Sequence, residues 1–160
     1  MRRHQLSLLL AGAIAILAAG AVWGQSNEVI DSLLAEEGAT LAKTAYLVLT
    51  ASGAIDEAQT VDQAFAALQA KPWGFAKAAP DGKVTLGSYA YLVMRAFDMK
   101  GGIMYSLFPG KRYAAREFAF RDFIQGNSAP GRILSGRDVT HVLGRVLEAL
   151  GQRTEEGVAQ

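Results

Sequence analysis

A segment of twelve residues occurs twice in this chain, 45 positions apart. T-L-A-K-T-A-Y-L-V-L-T-A, from Thr40 to Ala51, aligns with T-L-G-S-Y-A-Y-L-V-M-R-A, from Thr85 to Ala96, and seven of the twelve positions are identical. A fainter third copy begins at Ser135 and puts Arg145 where the second copy has Arg95. Both strong copies read as helices with a narrow polar strip, Lys43 and Thr50 in one and Ser88 and Arg95 in the other. Helices this apolar are enclosed on most sides. A repeat of this size cannot bury its apolar face alone, so successive copies have to share one core.

Each copy is preceded by a shorter helix. Asn27 caps a helix expected over 28–37 and closed by Gly38, and Thr40 caps the next, ended by Gly53. Thr60-Val61-Asp62-Gln63 is a capping box that opens a third helix, and Pro72 ends it. Ala79-Pro80-Asp81-Gly82 is a turn, and Thr85 starts a fourth helix running to about Asp98. A fifth is expected over about 112–125, with Gly126 beyond it, and a sixth from Ser135-Gly136-Arg137-Asp138 to about Leu150. The pattern predicts an all-α domain of three helix–loop–helix units sharing one core, roughly 26–53, 58–98 and 110–150. Residues 151–160 read as a flexible polar tail.

The linker from Met99 to Glu117 departs from the repeat. Gly101 just past a helix end predicts positive φ there, which a Gly101→Val change would resist. The helix that follows reads as the most enclosed, because Tyr113, Ala115, Phe118, Ala119, Phe120, Phe123 and Ile124 pass almost all the way round it. Its charges thread between them. Glu117 and Arg121 stand at i,i+4, and either they line the exposed rim or Arg116 or Glu117 enters a paired, partly buried network.

The first residues read as an export signal. Met1 to Gln5 is a short positive region, Leu6 to Trp23 is uncharged and apolar, and small residues end the run. Residues 1–24 are expected to be removed, leaving a domain from 25 to 150; an uncleaved anchor is the alternative. The expected location is therefore periplasmic or extracellular. Without Arg2 and Arg3 the remainder carries 14 basic and 15 acidic groups, and it is long enough to bury one core. Near-neutral charge argues against a nucleic-acid partner. The chain has no Cys, which excludes disulfides and thiol chemistry.

Signals for catalysis are poor. His141 is alone on a helix, whereas a metal site needs three or four ligands. Residues 77–88 mimic a calcium loop, but Lys77, Ala79 and Ser88 fall where oxygen ligands belong, leaving Asp81 as the single carboxylate. Glu36, Glu37 and Glu117 could serve a glycan hydrolase, but their spacing does not favour it. The sequence points to no enzyme, no metal and no cofactor.

The second and third units resemble S-layer homology repeats. In that family a helix with an aromatic start leads through a Gly-containing loop to a P-D-G turn, then to a Thr-capped helix that often ends in Arg. Arg112-Tyr113-Ala114 resembles the aromatic start, Pro80-Asp81-Gly82 the turn, Thr85 and Ser135 the cap, and Arg95 and Arg145 the late Arg. The resemblance implies a pseudo-threefold bundle and an anionic wall polymer as ligand. The Arg with which the family holds that polymer, the second residue of its T-R-A-E start, is replaced by Leu41, Leu86 and Gly136.

These readings converge on an exported, non-catalytic module that binds a cell-envelope component, either wall polymer or an envelope protein. The alternatives are a protein-interaction subunit of an envelope assembly and, third, a small wall-glycan hydrolase. Tyr105, Lys111, Arg112, Tyr113 and Arg116 are the candidate binding residues, since aromatic and Arg side chains together suit both binding hot spots and anionic sugar. A membrane is expected to be met only through an uncleaved leader.

Overall fold

The computed structural model describes residues 27–158, with side chains through 151. The leader expected over 1–24 lies outside the described residues. Within them the chain is all-helical, without a strand. Residues 27–34 form α1, followed by α2 (Leu41–Ala51), α3 (Val61–Ala70), α4 (Leu86–Ala96), α5 (Ile103–Leu107), α6 (Lys111–Phe120) and α7 (Gly136–Val158).

The residues just before α2, α4 and α7 meet in a closed ring of backbone hydrogen bonds. Ala39 N–H donates to the Leu134 carbonyl, Leu134 N–H to Val84, and Val84 N–H to Ala39, at 2.8, 2.9 and 2.9 Å. All three side chains are buried. The ring leaves the first N–H groups of each helix unpaired by their own helix, and the neighbouring loop accepts them. Leu41 and Ala42 donate to Gly82 and Pro80, Leu86 and Gly87 to Arg132 and Pro130, and Gly136 to Glu36. Thus the two Pro-containing turns hold the starts of the enclosed helices in place.

Packing around the ring does not follow the repeat units. α3 packs along α2 rather than α4, and α6 packs along α4. α1 reaches the start of α7, where an ideal Cβ on Gly136 would lie 1.6 Å from the Leu33 carbonyl oxygen. The loops 71–85 and 121–135 return the chain to the ring. The repeat is therefore a sequence unit whose two helices find their main partners outside it.

Several element ends differ from the sequence reading. α1 stops at 34, and Glu36 N–H closes a turn on the Leu33 carbonyl. Gly53 does end α2 with φ +69°, and Ala54 and Gly53 N–H bond back to Leu49 and Thr50. The same left-handed position after α4 and α6 is held by Asp98 and Asp122, at φ 46° and 56°. Gly101 is therefore not the positive-φ residue; a side chain there would instead meet Tyr105 at 2.6 Å. Because Asp122 stops α6, Phe123 and Ile124 are buried from the following turn, while Phe120 is exposed on the helix. The most enclosed helix is α4, not α6: only Ala114, Ala115 and Phe118 of α6 are buried, against eight residues of α4. α7 continues past Leu150 to Val158, since Gly151 lowers helix propensity without removing a hydrogen bond. The short helix α5 was not foreseen.

The core gathers on α2 and α4. Tyr89 is fully buried; its hydroxyl donates to the Val139 carbonyl at 2.7 Å, and its ring meets Phe118 edge-on. That one residue ties α4 to both α6 and α7. Burial without a neighbouring cation pushes its phenol pKa far up, so it stays a neutral donor.

Candidate functional site

An open groove of about 350 Å³ lies between the 74–83 loop and the starts of α2, α4 and α6. Lys77, Lys83 and Lys111 line it, with Phe75 and Ser88 between them, and no acidic side chain does. Each wall has a local cause. Gly74 turns the chain at φ +74°, which buries Phe75 against Tyr91 of α4, ring centroids 6.4 Å apart. Lys83 follows the Pro80-Asp81-Gly82 turn, and its ammonium donates to the Gly38 carbonyl at 2.8 Å. Lys111, first residue of α6, holds its ammonium 5.1 Å from the Phe75 ring centroid. The Thr85 hydroxyl donates to Ser88 at 3.1 Å, leaving the Ser88 hydroxyl hydrogen for a ligand.

Gly87 brings the walls together. A Cβ there would lie 3.0 Å from the Lys111 carbonyl and 3.1 Å from that of Pro130, so only glycine lets α6 and the 129–131 turn approach α4 this closely. Three lysines in one groove suit a carboxylate, phosphate or acidic sugar. Nothing in the groove resembles a nucleophile with its base.

The five residues singled out in the sequence do not form one site. Lys111 enters the groove. Arg112 is exposed on the same first turn of α6. Tyr113 is half-buried and stacks obliquely on Phe108, with centroids 6.5 Å apart, and the Arg116 guanidinium lies 5.9 Å from the Tyr113 ring centroid. Tyr105 turns into the core instead. Its hydroxyl has no hydrogen-bond partner among the described residues, and burial raises its pKa against the opposing charge of Arg95. An inward-facing ring cannot contact an external ligand, so Tyr105 is a packing residue.

Glu117 belongs to the paired network and Arg116 does not. The Glu117 carboxylate accepts the Gly102 N–H at 2.8 Å and faces Arg121 at 3.7 Å, and Arg121 donates to the Lys100 carbonyl. The pair pins the linker to α6. Glu36, the other candidate acid, is also structural. It accepts the Thr40 N–H at 2.7 Å, the Thr40 hydroxyl at 3.2 Å and the Lys43 ammonium at 2.8 Å. Burial raises its pKa, but these bonds and the Lys43 charge outweigh that and hold it below the ordinary carboxylate value.

Sequence reading missed Lys77, Lys83 and Phe75. The readable signal was their position: two Lys bracket the turn whose carbonyls receive the start of α2. Among the described residues no three His, Asp or Glu side chains converge, and His141 is exposed. No helix among them is long and apolar enough to cross a membrane. No protein-family description, curated protein or solved structure matches this chain.

Proposed function

We propose that this protein is an exported, non-catalytic module that binds an anionic polymer of the cell envelope in the groove of Lys77, Lys83 and Lys111. The observation that carries this reading is the groove itself, lined by three lysines and by no acidic side chain. In this reading the chain has three helix–loop–helix units of the S-layer homology kind. The closed hydrogen-bond ring at Ala39, Val84 and Leu134 supports that arrangement. The lysines then substitute for the Arg missing at Leu41, Leu86 and Gly136. The lysine ammonium groups meet the acidic substituents of the polymer, and buried Phe75 supports the Lys111 ammonium at the groove edge. Arg112 and Arg116 extend the positive surface beyond the groove.

Sedimentation with purified cell wall tests this. Wild type is expected in the pellet, with affinity about tenfold lower for Lys77→Ala and for Lys111→Ala, the loss of one charge-assisted contact. Arg112→Ala and Arg116→Ala should lose less. Wild type left in the supernatant overturns polymer binding. A single protein adduct from crosslinking in intact cells would then favour a subunit of an envelope assembly.

A further inference from the structure

The outer side of α5 takes no part in the groove. At about 100° per residue, Ile103, Met104 and Leu107 share one arc of this short helix, Phe108 follows just past its end, and Tyr105 falls on the core side. The four outer side chains are 79%, 48%, 64% and 61% exposed. Folding would ordinarily cover such a cluster, and the chain instead holds it outward. Glu117 and Arg121 grip the linker at Gly102 and Lys100, and Phe108 rests on Tyr113 at the other end. The apolar arc is therefore a fixed ledge.

Cations surround it. Lys100 precedes the ledge, and Arg112 and Arg116 follow it on α6; all three are exposed. Glu117 is engaged by Gly102 and Arg121, so Asp98 is the exposed acid nearest in the chain. Exposed apolar side chains flanked in the chain by exposed cations match the two layers of an anionic phospholipid surface, acyl boundary and phosphate. Only if the run Leu6 to Trp23 stayed uncleaved would it also bring the chain to a bilayer.

We propose that α5 is a membrane-surface contact. Ile103, Met104, Leu107 and Phe108 enter the headgroup boundary of an anionic bilayer, and Lys100, Arg112 and Arg116 meet lipid phosphates. The groove lysines Lys77, Lys83 and Lys111 take no part in this contact.

The absence of Cys allows a single probe to be placed. Leu107→Cys and, separately, Ile103→Cys in the full chain would carry an environment-sensitive fluorophore. Ala66→Cys, on the exposed side of α3, is the reference, since residues 1–24 affect every labelled chain alike. Vesicles would be phosphatidylcholine alone or with phosphatidylglycerol. The expected result is a blue shift at 103 and 107, strongest with phosphatidylglycerol, and none at 66. Arg112→Glu with Arg116→Glu should raise the lipid concentration for half-response at least tenfold, as about fivefold per cation implies. No shift with either vesicle overturns the proposal and assigns the ledge to a protein partner. Equal shifts at 66 and 107, or no preference for phosphatidylglycerol, overturn it as well. Wall sedimentation of the Cys-labelled proteins that keep Lys77, Lys83, Lys111, Arg112 and Arg116 reads polymer binding separately from this result.

Discussion

The starts of α2 and α7 occupy matching places on the hydrogen-bond ring and are built in opposite ways. α7 caps itself: the Ser135 hydroxyl accepts the Asp138 N–H at 3.1 Å, and Asp138 accepts the Ser135 N–H at 3.1 Å. α2 cannot do so, because its matching position is Lys43, which has no acceptor. The Thr40 side chain makes no cap bond, and Glu36 reaches over from the preceding segment to accept the Thr40 N–H. The first helical residue differs as well. α2 buries Leu41 there, whereas α7 has Gly136 pressed against the Leu33 carbonyl. A short first connection explains both contrasts. The segment from α1 to α2 is brief enough to put Glu36 beside Thr40, and it also lays the end of α1 over the start of α7.

Exchanging side-chain size at the two starts gives the largest expected effect. Gly136→Ala should cost about 3 kcal/mol or more, because backbone rather than a flexible side chain blocks its Cβ. Leu41→Ala should cost about 2–3 kcal/mol for the opposite reason, a cavity. Urea midpoints measure both, and an unchanged midpoint for Gly136→Ala would remove the close approach of α1 to α7.

Next in size is the carboxylate that caps α2. Glu36→Gln should cost about 1–2 kcal/mol at pH 7, the worth of charge-assisted hydrogen bonds. Because the folded pKa of Glu36 lies below its ordinary 4.5, its contribution is complete above that value. It is lost as pH falls through the lowered folded pKa. The gap between wild type and Glu36→Gln should accordingly close in acid. A gap that is constant from pH 7 to 3 would mean that Glu36 acts by shape alone.

The caps themselves come third. Ser135→Ala should cost about 1 kcal/mol, and Thr40→Ala clearly less, since Thr40 only donates to Glu36. Equal losses would erase the distinction between the two starts. The smallest effect is a gain. Asp122→Gly at φ 56° should stabilise by about 0.5 kcal/mol, a shift in melting temperature of one to a few degrees. A loss would show that the Asp122 side chain contributes more than its left-handed backbone costs.

Much of the helical order was legible. The Thr60 capping box forms with both its bonds, Gly53 ends α2, and the repeat marks the two most enclosed helices. Helix ends were less legible wherever Asp rather than Gly takes the left-handed position, as at Asp98 and Asp122. The candidate groove was hardly legible. Lys111 was chosen for its company with Arg112 and Tyr113, yet the structure pairs it with Phe75 and lysines from a loop about thirty residues earlier. Tyr105 read as a surface aromatic because α5, which turns it inward, is too short to leave a periodic signal.

The sequence alone determined the helical class, the side-chain caps at Thr85 and Ser135, and the absence of thiol chemistry. These depend on local periodicity, capping and composition. The tertiary structure decided which helices pair, that Ala39, Val84 and Leu134 close a ring, which lysines face one groove and which apolar side chains are left outside. Those outcomes depend on loops that carry the chain back to the ring and on close backbone approaches such as that at Gly136. Such approaches depend on where distant backbone lies, and no local pattern records it.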